Sequence, residues 1–592
     1  MRIWLPAAAF AAILNNRIAL ASEVVSSSTT TPTPNFVAGK IFINGDVNEN
    51  FASTNVEMAD VYSCCAYSVS SASVDECPTT EVTSSTRLKI GTMPQMTTDQ
   101  ALSALESAVT AWDGGSGTWP QMKLSDRIIA VRTFVTEMKA KREEIVLILM
   151  HEIGKNRVDA EAEFDRTVQF VEKAIEYIQN SGEFGTRGWD ASNGLTTRLF
   201  LSRAAVGIVL CMGPYNYPLN ETYATLIPAL LMGNVVILKL PTVGGLVHIL
   251  TIDAFRKALP PGTINFISGR GRTTMPPLME SGKIDSLAFI GSSTAADRLI
   301  KAHPHPHRLK IFLQLEGKNM GIYMRDLFEK GSSTTDDHHD NKEQRMDRIM
   351  KETITGTLSY NGQRCTALKL LFVPNEYSTQ FANMLAEKVE CMSVGLPWER
   401  TNSIYSQITP LPYAGRVDYM KELIDDAIEK GARIVNKNGG TVIGDGESTL
   451  MVPAILYPVT PDMRVYEEEQ FGPVIPIAPY VSLEEVIKYA REGKYGQQVS
   501  IFTSSADVES AQLIDRFSTV FGKININTQC GRSPDTAPFS GRRSSALGVM
   551  SVMNALFEFS IPTVVSYQDV DNHNELVTSI AAHSNFLQPA LI

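Results

Sequence analysis

The 592-residue sequence predicts an α/β protein, because two blocks of short apolar runs alternate with helical patterns. In the first block, apolar runs at 235–238 and 286–290 alternate with helical patterns such as 223–231. The second block begins with the apolar run at 367–373. Strands that alternate with helices build parallel sheets, so we expect two α/β domains after a helical region at 98–178.

The first residues predict a targeting segment. Arg2 precedes an apolar run at 3–14, Arg17 follows it, and no acidic residue occurs before Glu23. Such a basic, acid-poor beginning is typical of sequences that direct a protein to an organelle or into the secretory route. We therefore interpret residues 1–38 as a targeting, low-complexity segment. The expected destination is a plastid or mitochondrion, with a cytoplasmic or secretory protein as the alternatives.

Composition argues against several classes of partner. The formal net charge of −11 repels polyanions, and no basic tract carries interleaved aromatic residues, so we expect no nucleic-acid partner. No apolar run is long enough to cross a bilayer, which argues against a membrane protein. Residues 331–344 are polar and patternless and predict an exposed insertion. Their His338-His339 pair lacks a second ligand pair, so we expect no metal site.

Three short motifs carry candidate chemistry. Gly213-Pro-Tyr-Asn216 follows a predicted strand and holds a side-chain amide, and Lys239 ends the next strand. Open α/β sheets bind ligands at the carboxyl ends of their strands, so Asn216 is a candidate oxyanion donor. Cys365 follows Asn361-Gly-Gln-Arg, and a cysteine is a strong nucleophile once ionised. Taken singly, each motif fits a structural turn or an inert buried thiol equally well.

Together and in this order, the motifs resemble the landmarks of the aldehyde dehydrogenase superfamily over residues 40–570. The segments that carry the resemblance are GPYNYP at 213–218, the strand end at Lys239, FIGSS at 289–293, LEGKN at 315–319, GQRC at 362–365 and EEQFGP at 468–473. The resemblance implies an aldehyde dehydrogenase-like fold, with a Rossmann-type coenzyme domain, an α/β catalytic domain and a small β element for oligomerisation.

The same resemblance implies where these parts lie in the chain. We expect the coenzyme domain at 39–312, the catalytic domain at 313–545 and a C-terminal return with an oligomerisation strand at 546–592. Candidate pieces of the oligomerisation element are 196–205 and 562–570. The expected assembly is a homodimer or a homotetramer.

A role follows by resemblance for each matching residue. Cys365 would attack the aldehyde carbon, and the Asn216 amide with the Cys365 backbone N–H would stabilise the oxyanion. We expect the thiol to be ionised and to lie beside this amide. Lys239 would contact the adenosine ribose or its phosphate, and Glu469 the nicotinamide ribose. The residues that would contact the coenzyme are Gly213, Lys239, Thr242, Gly291, Ser292, Glu469 and Phe471.

The coenzyme is expected to be NADP, with NAD as the alternative. Many NAD-preferring members of the family resemble one another in carrying a carboxylate where this chain has Thr242. A carboxylate there would repel a 2'-phosphate, whereas threonine beside Lys239 permits a charge-assisted contact with that phosphate.

Within the family, the closest resemblance is to the members that oxidise glyceraldehyde 3-phosphate without inorganic phosphate. The residues that match their substrate-binding positions are Arg166, Tyr217, Arg364, Thr366 and Arg532. Arginine suits this task because its planar guanidinium meets phosphate oxygens through two parallel hydrogen bonds. The predicted substrate is therefore a small phosphorylated aldehyde, D-glyceraldehyde 3-phosphate, in carbohydrate metabolism and glycolysis.

One departure from the family pattern concerns the general base. Where the family has glutamate, this chain has Gln314, which cannot accept a proton from water. Glu316 would lie on the same side of an extended strand and is our predicted replacement. The departure leaves two alternatives open: transfer of the acyl group to coenzyme A, and a catalytically silent scaffold on the same fold.

Overall fold

Two mainly parallel sheets organise the chain in the computed structural model. The described residues are 33–48, 56–69, 82–190, 197–329, 342–444, 446–504, 508–568, 570 and 573–588. Residues 34–592 group as one compact unit, so the domain boundaries that we expect inside it remain a prediction. Most of the expected targeting segment lies outside the described residues, and its role and destination remain predictions as well.

The helices account for the predicted helical region and for the layers that cover the sheets. In chain order they are α1 (Thr98–Trp112), α2 (Leu124–Lys139), α3 (Arg142–Ile153), α4 (Arg157–Ser181), α5 (Asn220–Leu231), α6 (Leu246–Ile249), α7 (Ile252–Ala258), α8 (Gly271–Glu280), α9 (Ser293–Ala302), α10 (Lys342–Leu358), α11 (Asn375–Glu390), α12 (Ala414–Glu429), α13 (Arg464–Glu467), α14 (Leu483–Glu492), α15 (Val508–Phe517), α16 (Val552–Glu558) and α17 (His573–His583). None of these described helices is both long and apolar enough to span a bilayer.

The strands are mostly short. In chain order they are β1 (Ile41–Ile43), β2 (Asp46–Asn48), β3 (Glu57–Val69), β4 (Val82–Gln95), β5 (Arg187–Asp190), β6 (Thr197–Ala205), β7 (Ile208–Met212), β8 (Val235–Lys239), β9 (Ile264–Ile267), β10 (Ser286–Ile290), β11 (Lys310–Gln314), β12 (Asn319–Tyr323), β13 (Leu368–Pro374), β14 (Arg400–Thr401), β15 (Ile404–Tyr405), β16 (Arg433–Ile434), β17 (Val442–Ile443), β18 (Leu450–Met451), β19 (Ala454–Tyr457), β20 (Val474–Tyr480), β21 (Tyr495–Gly496), β22 (Gln498–Phe502), β23 (Lys523–Ile526), β24 (Arg542–Arg543), β25 (Ala546–Leu547) and β26 (Ser560–Gln568).

The first sheet has the strand order β25-β11-β10-β7-β8-β9, and only β25 runs antiparallel to its neighbour. Strand β8 is buried at every residue, as expected for a parallel strand that helices cover on both faces. Within this sheet, the chain runs from β7 through β8 to β9 on one side of β7 and then crosses to β10 on its other side. This reversal opens a crevice at the carboxyl ends of β7 and β10, where α/β sheets bind ligands.

The second sheet has the order β16-β19-β20-β13-β12-β22-β23, with only β16 antiparallel. It contains the strand β13 that follows Cys365, and it has its own apolar core on both faces. The predicted α/β architecture, with two mainly parallel sheets, is therefore confirmed. Strands β6 and β26 pair antiparallel along their full length in a third sheet with β5, which joins the two predicted pieces of the oligomerisation element.

Two local predictions require correction, and one element was missed. The apolar spacing at 246–259 predicts one helix, but this segment forms two helices, α6 and α7, with a break at Thr251. The predicted insertion at 331–344 ends in helix, because α10 begins at Lys342, and its other residues lie outside the described residues. The long hairpin of β3 and β4 was missed because its Ser/Thr-rich sequence has no clear apolar alternation.

A buried ion pair fixes the start of α5 next to this crevice. Lys155 and Glu163 are both fully buried, and the Lys155 ammonium donates to the Glu163 carboxylate. The other carboxylate oxygen accepts from the backbone N–H groups of Leu219 and Asn220, at 3.0 and 3.2 Å. The ammonium also lies 3.3 Å from the ring centroid of Tyr217. Removing either partner would leave a buried charge without compensation.

Replacing Lys155 with Met should therefore lower the free energy of unfolding by about 3–5 kcal/mol, measured by urea denaturation monitored by circular dichroism. The matched control is Lys139→Met, because Lys139 pairs with Glu172 at 2.6 Å while both side chains are about half exposed. That change should cost less than about 1 kcal/mol. Equal losses for the two variants would contradict the structural role of the buried pair.

Candidate active site

One cavity of about 870 Å³ lies at the carboxyl ends of the first sheet and beside the loop that precedes β13. It brings together residues that are far apart in the sequence. The predicted site residues that line it are Arg166, Asn216, Tyr217, Gly291, Ser292, Gln314, Glu316, Arg364, Cys365, Thr366, Glu469, Phe471 and Arg532. Three further predicted residues, Gly213, Lys239 and Thr242, do not line it.

A short left-handed backbone segment positions the cysteine loop. Tyr360 and Asn361 have φ values of 49° and 55°, a conformation that costs energy for residues other than glycine. The Tyr360 hydroxyl donates to the Ile153 carbonyl at 2.8 Å. The Asn361 side chain donates to the Thr409 carbonyl at 2.9 Å and accepts from the Thr409 N–H at 3.0 Å. These buried contacts hold the strained turn, and Cys365 follows four residues after Asn361.

Two side chains hold the backbone carbonyl of Cys365. It accepts from the Asn319 side chain at 2.7 Å and from the Lys369 ammonium at 3.0 Å. Lys369 is also paired with Glu469, whose carboxylate accepts from the Gly317 N–H at 3.1 Å. The cysteine, the lysine and this acid therefore form one connected group beneath the cavity.

The thiol is not ionised in the protein alone, which corrects our expectation. Burial, the largest cause, raises the pKa of the Cys365 thiol to about 11. The nearby carboxylates of Glu221 and Glu469 raise this pKa further, while the Lys369 ammonium and a hydrogen bond from Gln497 lower it. One cation does not offset desolvation together with two anions, so the thiol stays protonated at neutral pH.

Asn216, the predicted oxyanion donor, lines the cavity and already makes one hydrogen bond within the protein. The Asn216 side-chain amide is buried and donates one hydrogen bond to the Gln363 carbonyl at 2.8 Å. An amide NH₂ has two donors, so one N–H remains for a ligand in the cavity. Tyr215 reinforces the arrangement, because its hydroxyl donates to the Gln363 side chain at 3.0 Å.

Gln314 and Glu316 differ from the expected arrangement. Strand β11 ends at Gln314, so the alternation that would have placed both side chains on one side does not continue. The Gln314 side chain is 3 % exposed, and neither its amide nitrogen nor its oxygen has a hydrogen-bond partner among the described residues. Glu316 accepts from the Ser293 N–H at 2.9 Å, at the beginning of α9. Its carboxylate is thus held by a helix N-terminus, which favours negative charge.

The predicted coenzyme residues fall into two groups. Gly291, Ser292, Glu469 and Phe471 line the cavity. Lys239 is buried and donates to the Leu240 carbonyl at 2.6 Å, and burial lowers the pKa of its ammonium to about 8. Thr242 is exposed.

Gly213 has a packing role instead. A side chain at this position would place its Cβ 1.6 Å from the Thr222 hydroxyl, so only glycine permits this contact between the end of β7 and α5. The signal that predicted Gly213, a glycine directly after a strand, therefore reflects close packing.

The three predicted phosphate-binding arginines meet at one end of the cavity, and carboxylates partner two of them. Arg166 donates to both oxygens of Asp535, at 2.9 and 2.7 Å. Arg532 lies 2.5 Å from a Glu221 oxygen and 3.4 Å from Asp535. Arg364 donates to neutral oxygens only in its hydrogen bonds, those of the Thr355 and Gly356 carbonyls and of Gln529.

Sequence reasoning missed several residues that shape this cavity. They are Tyr215, Glu221, Asn319, Gln363, Lys369, Lys523 and Asp535. Lys369 lies inside a strand and Glu221 inside a helix, so neither stands in a motif that marks a site. Within the described residues, no group of three His, Cys, Asp or Glu side chains is placed to hold a metal ion.

A cavity at the switch point of a parallel sheet, lined by a partly buried cysteine, is typical of α/β enzymes. The chain belongs to the aldehyde dehydrogenase family, whose model matches residues 70–334 and 338–565. It is therefore an oxidoreductase of that family, as the motifs had indicated.

The chain is similar to several curated members of this family. The chain is 30% identical over 466 residues to NADP-dependent glyceraldehyde-3-phosphate dehydrogenase of Streptococcus equinus, covering 78% of this chain and 90% of that protein. It is 27% identical over 472 residues to the enzyme of the same name from Pisum sativum, covering 79% and 87%.

Solved structures of the family share the fold of this chain. The NADP complex of NADP-dependent glyceraldehyde-3-phosphate dehydrogenase from Bacillus halodurans is 25% identical, with a TM-score of 0.74 over 90% of this chain and all of that one. Lactaldehyde dehydrogenase from Escherichia coli, at 23% identity and a TM-score of 0.75, covers 90% of this chain and shares the fold.

The protonated thiol leads to a measurable pH dependence. Because only the thiolate reacts, the rate at which iodoacetamide modifies Cys365 should rise about tenfold per pH unit from neutral pH towards its pKa of about 11. Mass spectrometry of the Cys365 peptide would measure this rate. The exposed Cys391 in the same digest is an internal control and should react ahead of Cys365 at neutral pH. A Cys365 rate that already reaches its plateau near pH 8 would contradict the protonated thiol.

Proposed function

We propose that this protein oxidises D-glyceraldehyde 3-phosphate to 3-phosphoglycerate with NADP, without inorganic phosphate. The observation that supports this most strongly is that Cys365 shares its cavity with Arg166, Arg364 and Arg532. A small phosphorylated aldehyde places its carbonyl and its phosphate a few bonds apart, which suits a cavity with a thiol beside a cationic end. The names of the relatives agree with this substrate and coenzyme.

In the proposed reaction the Cys365 sulfur attacks the aldehyde carbon. The thiol proton passes to solvent water, a carbon–sulfur bond forms, the carbonyl π bond breaks, and the carbonyl oxygen becomes an oxyanion. The remaining N–H of the Asn216 amide and the Cys365 backbone N–H stabilise this charge. Arg166, Tyr217, Arg364, Thr366 and Arg532 bind the rest of the substrate, so the carbon is positioned before it reacts.

The residues at the other end of the cavity fit a dinucleotide. Gly291 and Ser292 lie at the beginning of α9, and a helix N-terminus favours the negative charge of phosphates. Glu469 can accept hydrogen bonds from a ribose, and Phe471 presents an aromatic ring to the cavity. Lys239 and Thr242, at the end of β8, would hold a 2'-phosphate. When bound, the coenzyme takes up the hydride that the aldehyde carbon loses, which leaves a thioester on Cys365.

Hydrolysis of this thioester requires a base, and Glu316 is the residue we propose. Its carboxylate would accept a proton from water after leaving the Ser293 N–H. The alternative within catalysis is transfer of the acyl group to coenzyme A, which the Gln314 side chain favours because an amide cannot act as a base.

We also propose that the protein is a homodimer or homotetramer that uses the sheet of β5, β6 and β26. Strand β26 carries exposed apolar side chains at Ile561 and Val564. Exposed apolar residues on a sheet are typical of interfaces between subunits.

A substitution of Arg364 tests the substrate. Because its hydrogen bonds go to neutral oxygens, Arg364→Gln leaves no buried acid unpaired. The loss of one charge-assisted contact should raise the KM for glyceraldehyde 3-phosphate by about 10- to 100-fold. The KM for unphosphorylated D-glyceraldehyde, measured with the same variant, should change by less than about threefold on the same scale. Equal losses for both aldehydes would count against phosphate recognition.

Product analysis separates hydrolysis from the alternatives. Stopped-flow absorbance of the wild type with NADP should show steady NADPH formation that does not depend on coenzyme A, together with free 3-phosphoglycerate. Glu316→Gln should keep the first turnover and lose the steady phase. A single turnover in the wild type, relieved by coenzyme A, would favour the acylating enzyme. No first turnover at all in protein that is folded would favour the silent scaffold.

A further inference from the structure

An acidic side chain that the reaction does not use lies in the cationic end of the cavity. Glu221 is in the first turn of α5 and lines the same cavity as Cys365. Its carboxylate lies 2.5 Å from the Arg532 guanidinium, and the two side chains are 14% and 5% exposed. Both partners of this ion pair are therefore largely removed from water.

The position of Glu221 is not explained by the helix that carries it. An acid in the first turn of a helix often serves the free backbone N–H groups there. Here Glu163 already accepts from the N–H groups of Leu219 and Asn220, at the start of α5. The Glu221 side chain points instead to Arg532.

Four charged side chains at this end of the cavity pair with one another. Asp535 binds both Arg166 and Arg532, so the two arginines share two carboxylates, those of Asp535 and Glu221. A phosphate that binds Arg532 meets the Glu221 carboxylate beside the same guanidinium. It also approaches that carboxylate as a like charge, which costs free energy in a cavity with little water.

We propose that Glu221 determines the anion selectivity of this cavity, because its carboxylate is paired with Arg532 and opposes any second anion that binds the same guanidinium. This inference rests on the proposed phosphate-aldehyde function. Although neither Nη1 nor Nη2 of Arg532 has a hydrogen-bond partner among the described residues, the Glu221 carboxylate compensates the charge of this buried guanidinium. It also lowers the affinity for any anion that cannot replace Glu221 by a hydrogen-bonded contact of its own.

The Glu221 carboxylate also acts on the Cys365 thiol through its charge. Glu221 is the first charged group, after burial itself, that raises the pKa of the Cys365 thiol, and Glu469 and Lys369 are the other charges that act on it. Removing the Glu221 charge should therefore have two effects at once: tighter binding of anions and easier ionisation of the thiol.

Glu221→Gln tests the inference in the full-length protein, because it removes the charge and keeps the shape. Titration calorimetry with inorganic phosphate should show binding tighter than that of the wild type by about tenfold, which corresponds to about 1.4 kcal/mol. The KM for glyceraldehyde 3-phosphate should fall in the same direction, while that for D-glyceraldehyde should not. The alkylation profile of Cys365 should move to lower pH.

Glu316→Gln is the matched control. It removes the same charge from the same cavity, but Glu316 is bound to the Ser293 N–H and, unlike Glu221, is not one of the main charges that act on the Cys365 thiol. Phosphate affinity and the alkylation profile should both stay at the wild-type values in this variant. Thermal unfolding of both variants by circular dichroism establishes that they are folded.

Unchanged or weaker phosphate binding in folded Glu221→Gln would overturn the inference, as would equal gains in the two variants. Failure of the proposed function has a different signature. If neither the wild type nor the variant prefers the phosphorylated aldehyde, while Glu221→Gln still binds phosphate more tightly, the substrate assignment is wrong and the control of Arg532 by Glu221 stands.

Discussion

Burying charged groups in a cavity removes them from water, and each of them then needs an opposite charge or a hydrogen-bond partner. Around Cys365 this constraint is met by other parts of the chain. Arg166 binds Asp535, Arg532 binds Glu221, Glu316 binds the Ser293 N–H and the Asn216 amide binds the Gln363 carbonyl. A ligand that takes the bonded atoms of Arg166 or Glu316 therefore exchanges partners, and its binding free energy is the difference between two sets of contacts.

The protonation state of the Cys365 thiol follows from the same constraint. Burial disfavours the thiolate, and the surrounding carboxylates add to this effect more than Lys369 can offset. A protonated thiol is a poor nucleophile but is also protected from oxidation and from random electrophiles. Any ligand that changes the charge or the hydration of the cavity changes the pKa of Cys365 as well. Recognition of the substrate and activation of the cysteine are thus coupled through one electrostatic environment.

The sequence predicted those features that depend on local pattern. Strand β10 was predicted to the residue and β8 to within one residue, because each is a short apolar run with polar or glycine neighbours. The hairpin of β3 and β4 was missed. Backbone pairing and packing on α3 stabilise it, and a Ser/Thr-rich sequence indicates neither of these contacts.

For the site, motifs identified Cys365, Asn216 and Glu469, and the structure places them around one cavity. The partners of the motif residues could not be predicted in this way. Glu221 and Arg532 lie on different elements far apart in the chain, and nothing in either neighbourhood indicates that they form an ion pair. The ionised thiol was expected from motif chemistry alone, but the ionisation state depends on burial and on charges contributed by distant segments.

The central claim is that Cys365 forms the bond to the substrate carbon. The most direct measurement is acid quenching of the full-length protein with glyceraldehyde 3-phosphate and NADP within the first turnover, followed by peptide mass spectrometry. The account predicts a 3-phosphoglyceryl group on the Cys365 peptide, which hydroxylamine removes, and no such group in Cys365→Ser. An adduct on another residue, or none in folded protein that oxidises the aldehyde, would contradict it.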